Sequence, residues 1–172
     1  FGLVGLGVIG RAVLRCLLSV HKAPCDIWLL RHKDQAEGIV DEFRSSGAVF
    51  HIVADKLDLV RRTNVLFSCV TVMRDQFLQP EVYPPGYLCI PVHVRGFQNC
   101  DLTFDRVFGD DAGHMRDWQS FSRFREFAEF SDVVLGKAEG RRNREERILS
   151  CNYGLGLHDL WFAFRILIAF LG

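Results

Sequence analysis

Short apolar runs alternate with longer amphipathic ones along this chain. Residues 1–5 (FGLVG), 26–30 (DIWLL), 49–53 (VFHIV), 65–70 (VLFSCV) and 87–92 (YLCIPV) are compact apolar runs that predict strands. Nearly unbroken runs of this kind suit a parallel sheet covered on both faces. The segments between them have helical spacing. Val8, Ala12, Leu14, Leu17 and Leu18 predict a helix over 8–20. A sparser stripe of Ala36, Ile39, Val40 and Phe43 predicts one over 33–46, stopped by Gly47. Residues 56–62 form a short helix with Leu57, Leu59 and Val60 facing inward.

Beyond residue 70 the pattern loosens. Residues 74–83 predict a short helix, broken by Pro80 and closed by the Pro84, Pro85, Gly86 turn. A weak sixth strand falls at 106–108. Residues 112–130 read as a helix whose Phe121, Phe124, Phe127 and Phe130 serve a core or interface. A charged, Gly-bounded loop covers 136–146, a last short strand 147–151 and a last helix 157–171. This alternation predicts βαβ units and an α/β fold: a Rossmann-type doubly wound parallel sheet, in one domain spanning 1–172. The sequence has no internal repeat, low-complexity segment or Gly/Ser linker.

Composition narrows the class. A chain of 172 residues with 49% hydrophobic and 24% charged residues is an ordinary globular domain. Lys and Arg balance Asp and Glu at 21 each, so no bulk field argues for nucleic acid or an anionic membrane. The 6 cysteines include no C-x-x-C pair and no His at zinc spacing. Reduced thiols in a cytoplasmic protein are the expectation. The most apolar stretch, LWFAFRILIAFL at 160–171, is shorter than the roughly 20 residues a bilayer needs, and Arg165 interrupts it. A helix packed on another part of the protein is expected there. A first residue of Phe, with residue 2 already in a buried strand, reads as a fragment lacking an N-terminal portion.

The sharpest motif is Gly5-Leu6-Gly7-Val8-Ile9-Gly10, a G-x-G-x-x-G between a strand and a helix. Gly5 would allow the tight turn, Gly7 the close approach of a pyrophosphate, and Gly10 close packing of helix on strand. Val8 and Ile9 lie in the first helical turn, whose free N–H groups and positive dipole end face a bound phosphate. The bland alternative is a glycine-rich turn that serves packing only. At the end of the second strand an NAD site places a carboxylate on the ribose 2′-OH. Here Leu30, Arg31, His32 and Lys33 stand instead. Arg31, helped by His32, suits a 2′-phosphate, which favours NADP over NAD; a solvated basic turn is the alternative.

Ligands of such sheets bind beyond the carboxyl ends of the strands. Cys69, Val70 and Thr71 after the fourth strand should therefore border the cofactor. After the fifth come His93, Arg95, Gln98 and Asn99; after the sixth, Asp110, Asp111 and His114; near the end, Asn152, Tyr153, His158 and Asp159. His93 is the best placed acid/base, although a lone loop His is more often structural. Arg95 suits a substrate carboxylate, or is a solvated charge. Asp110, Asp111 and His114 form a loose acidic constellation that reads better as helix capping than as a metal site, and no metal is expected.

These residues carry a resemblance. GLGVIGRA opening a βαβ unit is similar to the nucleotide-binding domain of the ornithine cyclodeaminase/μ-crystallin family. So are Gly140 and Arg141, then Glu145, Glu146 and the apolar strand after them, then Gly154, Leu155 and Gly156, then His158, Asp159 and Leu160. The run IPVHVRGFQNCDLTFD with FGDDAGH resembles the family's tyramine oxidase branch. The resemblance spans the whole chain. It implies a homodimeric NAD(P)-dependent enzyme acting through an imine on amino acids or cyclic imines. It also implies a substrate and dimer domain before the glycine motif, against which residues 157–172 pack. Arg31 matches the Arg of the family's NADPH-binding members.

One departure matters. The family's loop after the fifth strand carries a catalytic Asp where this sequence has Arg95, and a glycine where it has His93. The cyclodeaminase chemistry therefore does not carry over by residue. Three readings stay open: an oxidoreductase using His93 and Arg95, a non-catalytic dinucleotide-binding subunit of a partner enzyme, and a pyrroline-carboxylate reductase-like imine reductase.

Overall fold

The computed structural model describes residues 1–93, 97, 103–118, 120–152 and 154–172. Among the described residues eight strands form one sheet: β1 (Gly2–Val4), β2 (Asp26–Leu30), β3 (Val49–Val53), β4 (Val65–Ser68), β5 (Leu88–Pro91), β6 (Arg106–Gly109), β7 (Phe127–Glu129) and β8 (Ile148–Cys151). Their order is β3-β2-β1-β4-β5-β8-β6-β7, and every pairing is parallel. The helices are α1 (Val8–Val20), α2 (Gln35–Glu42), α3 (Lys56–Arg61), α4 (Ala112–Met115), α5 (Phe130–Val134) and α6 (Gly156–Leu171). The expected α/β sheet is thus present, with its first five strands where the apolar runs put them.

Strand alternation divides the core between the two faces. Leu3, Ile27 and Leu29 point to one face and pack with Leu14 of α1 and Ala36 and Ile39 of α2. Val4 and Leu66 point to the other and pack with Leu59 and Val60 of α3, Tyr87 and Cys89. There the Thr63 and Tyr87 hydroxyls share a 2.9 Å hydrogen bond, satisfying both buried groups. The Gly47 stop holds: after a 3-10 turn over Arg44–Ser46, Gly47 adopts φ +82.

Two predicted helices differ. Over 74–83 only Pro80–Val82 winds, as one 3-10 turn. The helix expected over 112–130 ends at Met115, and the chain then makes a 3-10 turn at Phe121–Arg123 and a new strand, β7. The phenylalanines at helical spacing misled because their packing is tertiary. Phe127 pairs with Val107 of β6, and the Phe121 ring meets Phe127 edge-on at 5.1 Å. Phe121, Phe124 and Phe127 pack against the core, as expected, and Phe130 stacks on buried Phe108.

The tail motif is largely a clamp. Arg106 of β6 is buried, with its Nε 3.0 Å from Glu126 and a further hydrogen bond to the Gly140 carbonyl. Arg141 donates to the carbonyl of Glu146 at 2.5 Å, and Glu146 accepts the Arg142 N–H at 3.0 Å. Arg147 grips Asp105 through both side chain and backbone N–H, holding that carboxyl below its ordinary range. A buried guanidinium needs such a full set of partners.

Candidate functional site

The carboxyl ends of β1, β2 and β4 meet at one cleft of about 350 Å³. Gly5, Gly7, Arg31, His32, Cys69, Val70 and Thr71 line it, as does Gln35. Seven residues singled out in the sequence therefore converge on one place.

The three glycines differ in what constrains them. Gly5 has φ +83, and a Cβ there would lie 2.6 Å from the Cys69 carbonyl carbon. A Cβ on Gly10 would overlap the carbonyl oxygen of Gly5, so α1 presses directly on the loop that precedes it. Gly7 is the opposite case: a Cβ would meet nothing within 4 Å, and the residue faces the cleft. Two glycines are fixed by packing, and the third keeps open the approach to the helix end. Gly7 is the N-cap of α1, with no side-chain cap and no acidic residue in the first turn. No side chain of the cap or first turn therefore offsets the positive dipole end of α1. The Val8 and Ile9 side chains do not enter the cleft; they line an apolar groove on the flank of α1.

On the β2 side, the Arg31 N–H donates to Val53 at 2.8 Å, extending the ladder. Its guanidinium is half-exposed and pairs with Glu37 of α2 at 2.5 Å. Sequence reading missed Glu37. Lys33 at φ +52 turns the chain so that the first turn of α2 comes back beside Arg31. On the β4 side, the Cys69 N–H donates to Val4 at 2.7 Å, and burial pushes the thiol up to about 11, so it is a neutral wall of the cleft.

The remaining candidates scatter. His93 lies two residues beyond β5, half-buried and outside the cleft lining. Arg95, Gln98, Asn99 and Tyr153 fall outside the described residues. Asp111 caps α4, accepting the His114 N–H at 2.7 Å, which is the capping role expected of it. Asp110 accepts the Gly154 N–H at 2.6 Å, tying the end of β6 to the turn after β8. His158 lies at the start of α6, its Nδ1 3.4 Å from the Leu155 N–H. Among the described residues no group of three or more His, Cys, Asp or Glu could hold a metal ion. Among the described residues Cys16, Cys25, Cys69, Cys89 and Cys151 are in no disulfide. No helix among the described residues is long and apolar enough to cross a membrane.

Comparison with known proteins places this geometry in context. No family model matches the chain. A curated relative, the nodulation efficiency protein NfeD of Rhizobium meliloti, is 25% identical over 164 residues, covering 91% of this chain and 51% of that protein. The iminosuccinate reductase of Paracoccus denitrificans, solved with NAD+, superposes with a TM-score of 0.76 at 20% identity, over 94% of this chain and 53% of that one. The Δ1-pyrroline-2-carboxylate reductase of Thermococcus litoralis, solved with NADH and L-proline, gives 0.71 at 18% identity, over 92% and 54%. A probable ornithine cyclodeaminase from Bordetella pertussis gives 0.73 at 17% identity, over 94% and 56%. The fold is therefore shared with cyclodeaminases and imine reductases, the kind of protein that the sequence resemblance implied. The chain spans about half the length of these proteins.

Proposed function

We propose that this chain is the dinucleotide-binding part of an NAD(P)-dependent oxidoreductase of the ornithine cyclodeaminase/μ-crystallin type. Its reaction is hydride transfer at the amine- or imine-bearing carbon of an amino acid or cyclic imine. The observation that carries this reading is the division of labour among the glycines: Gly5 and Gly10 have no room for a Cβ, whereas Gly7 has open space at an uncapped helix end. That is a cradle into which a pyrophosphate fits.

Gly7 and the first-turn N–H groups of α1 hold the pyrophosphate. Arg31 and His32 take the adenosine ribose, and the free half of the Arg31 guanidinium favours the 2′-phosphate of NADP. Cys69, Val70 and Thr71 border the nicotinamide side. When bound, the nicotinamide supplies or accepts a hydride. His93, on the same edge of the sheet, serves as acid or base toward the substrate nitrogen, and Arg95, two residues further along the sequence, binds a substrate carboxylate. The full protein acts as a homodimer in the cytoplasm.

A second reading, a dinucleotide-binding subunit without catalysis, is favoured by one observation: Arg95 stands where the family keeps a catalytic Asp. Calorimetric titration with NADPH and NADH comes first, then absorbance of the reduced cofactor against a panel of cyclic imines and of keto acids with ammonia. Tighter NADPH binding and turnover that disappears in His93→Ala support the enzyme. Binding without turnover across the panel supports the non-catalytic reading. Failure to bind either dinucleotide in the folded state overturns both.

A further inference from the structure

The β2 corner of the cleft holds two opposite charges where a dinucleotide site ordinarily holds one. Arg31 lines the cleft, and its guanidinium lies 2.5 Å from the Glu37 carboxylate of α2. No Asp or Glu is among the residues lining the cleft, so the strand-end carboxylate that ordinarily reads a ribose 2′-OH is missing. Glu37 reaches the same corner from the first turn of α2. Lys33 at φ +52 folds the chain back to bring it there, and the positive end of the helix favours an anion at that position.

We infer that Arg31 and Glu37 together read the 2′ position of the adenosine ribose and let the site use both cofactors, with Glu37 setting the ratio. The inference rests on the proposed seating of a dinucleotide in this cleft. A ribose 2′-OH both donates and accepts hydrogen bonds. With NAD it donates to Glu37 and accepts from Arg31, so the ion pair stays closed. A 2′-phosphate dianion only accepts, and its charge repels the carboxylate. With NADP, Arg31 therefore turns from Glu37 to the phosphate, which a guanidinium grips bidentately. The pair suits that exchange because it is weak. The two side chains are 50% and 46% exposed, and pairs in such settings contribute less than about tenfold to an equilibrium constant. Opening the pair lowers the gain that NADP draws from Arg31 without abolishing it. A buried pair would resist the exchange.

Calorimetric titration of the full chain with NADH and with NADPH tests this. The wild-type chain should bind the two within about tenfold of each other. Glu37→Ala, at an exposed helix position, removes both the acceptor of the hydroxyl and the competitor of the phosphate, and should leave circular dichroism unchanged. NADPH affinity should rise several-fold and NADH affinity should fall several-fold, two shifts of opposite sign. Glu37→Gln keeps an acceptor without the charge, so only the NADPH shift should remain. Arg31→Ala should weaken NADPH at least about tenfold and NADH by less. Shifts of the same sign in Glu37→Ala, or an NADH affinity that it leaves untouched, overturn the inference while the dinucleotide site itself stands. So does a wild-type preference for either cofactor beyond about a hundredfold. Binding of neither cofactor overturns the site and this inference with it.

Discussion

Substituting Gly7 by Asp should separate the stability of the glycine loop from its binding capacity. The backbone at Gly7 has φ −79 and ψ −157, an extended conformation open to any residue, and its Cβ direction is empty. Helix α1 begins there without a side-chain cap or an acidic residue in its first turn. Asp is among the best N-caps and its charge opposes the positive helix end, so the folded state should gain about 0.5–1 kcal/mol. For a chain of this size that raises Tm by about 1–4 °C. The same carboxylate would enter the cleft that the pyrophosphate is proposed to occupy, and a separation of about 4 Å sets the scale of the effect. Repulsion at that distance runs from about 1 kcal/mol in water to about 4 kcal/mol at the effective dielectric of a protein surface. Affinity for NADPH or NADH should then fall between about fivefold and a thousandfold. Thermal unfolding by circular dichroism and calorimetric titration on the same preparation measure both effects. Unchanged affinity would refute the placement of the pyrophosphate at this helix end, and a lowered Tm would refute the account of the empty space around Gly7.

Gly10→Ala should do the reverse: its methyl overlaps the Gly5 carbonyl, and overpacking of about 1–3 kcal/mol outweighs the gain of about 1 kcal/mol in helix propensity, seen as a lower urea midpoint. Glu37→Gln removes the carboxylate that engages Arg31, so NADPH affinity should rise several-fold with NADH affinity unchanged; equal effects on both would sink the assignment of Arg31 to the 2′-phosphate. Asp105 is held below its ordinary range first by the Arg147 side chain, so its contribution is present above the unfolded carboxylate value and is lost as pH falls through the acid range. Asp105→Asn should cost about 1–2 kcal/mol at neutral pH and flatten the decline in urea midpoint toward acid. At pH 8 exposed Cys16 should react with an alkylating reagent on the order of a hundredfold faster than Cys69, whose thiol burial pushes up to about 11; equal rates by mass spectrometry would contradict that burial.

The cleft was legible because its parts are local. A strand, a glycine turn and a helix declare themselves in consecutive residues, and Arg31 and Cys69 to Thr71 follow from knowing which strand ends face the ligand. Glu37 was not legible, because its approach to Arg31 depends on the left-handed turn at Lys33. Strand β7 was hidden for a related reason. Four phenylalanines three residues apart satisfy a helical period, and only the partner strand β6 decides that Phe127 extends instead. Arg141 and Glu146 were noticed for their order along the chain, but the buried Arg106, which lies between Glu126 and Glu146, gave no sequence signal.

The position of β8 in the sheet bears on how the domain is made. It is the last strand of the chain, yet it lies between β5 and β6, pairing with Leu88 and Cys89 on one side and with all of β6 on the other. Strands β6 and β7 are therefore synthesised before the strand that attaches them to the sheet. Until residues 148–151 leave the ribosome, β5 presents an open edge and the β6–β7 pair has no place to dock. Unpaired edges of this kind are where nascent chains pair with the wrong partner. The sheet is complete only when this four-residue strand pairs with β5 on one side and β6 on the other. A chain cut just before Ile148 would lose the attachment of β6 and β7, the far quarter of its sheet, along with that strand.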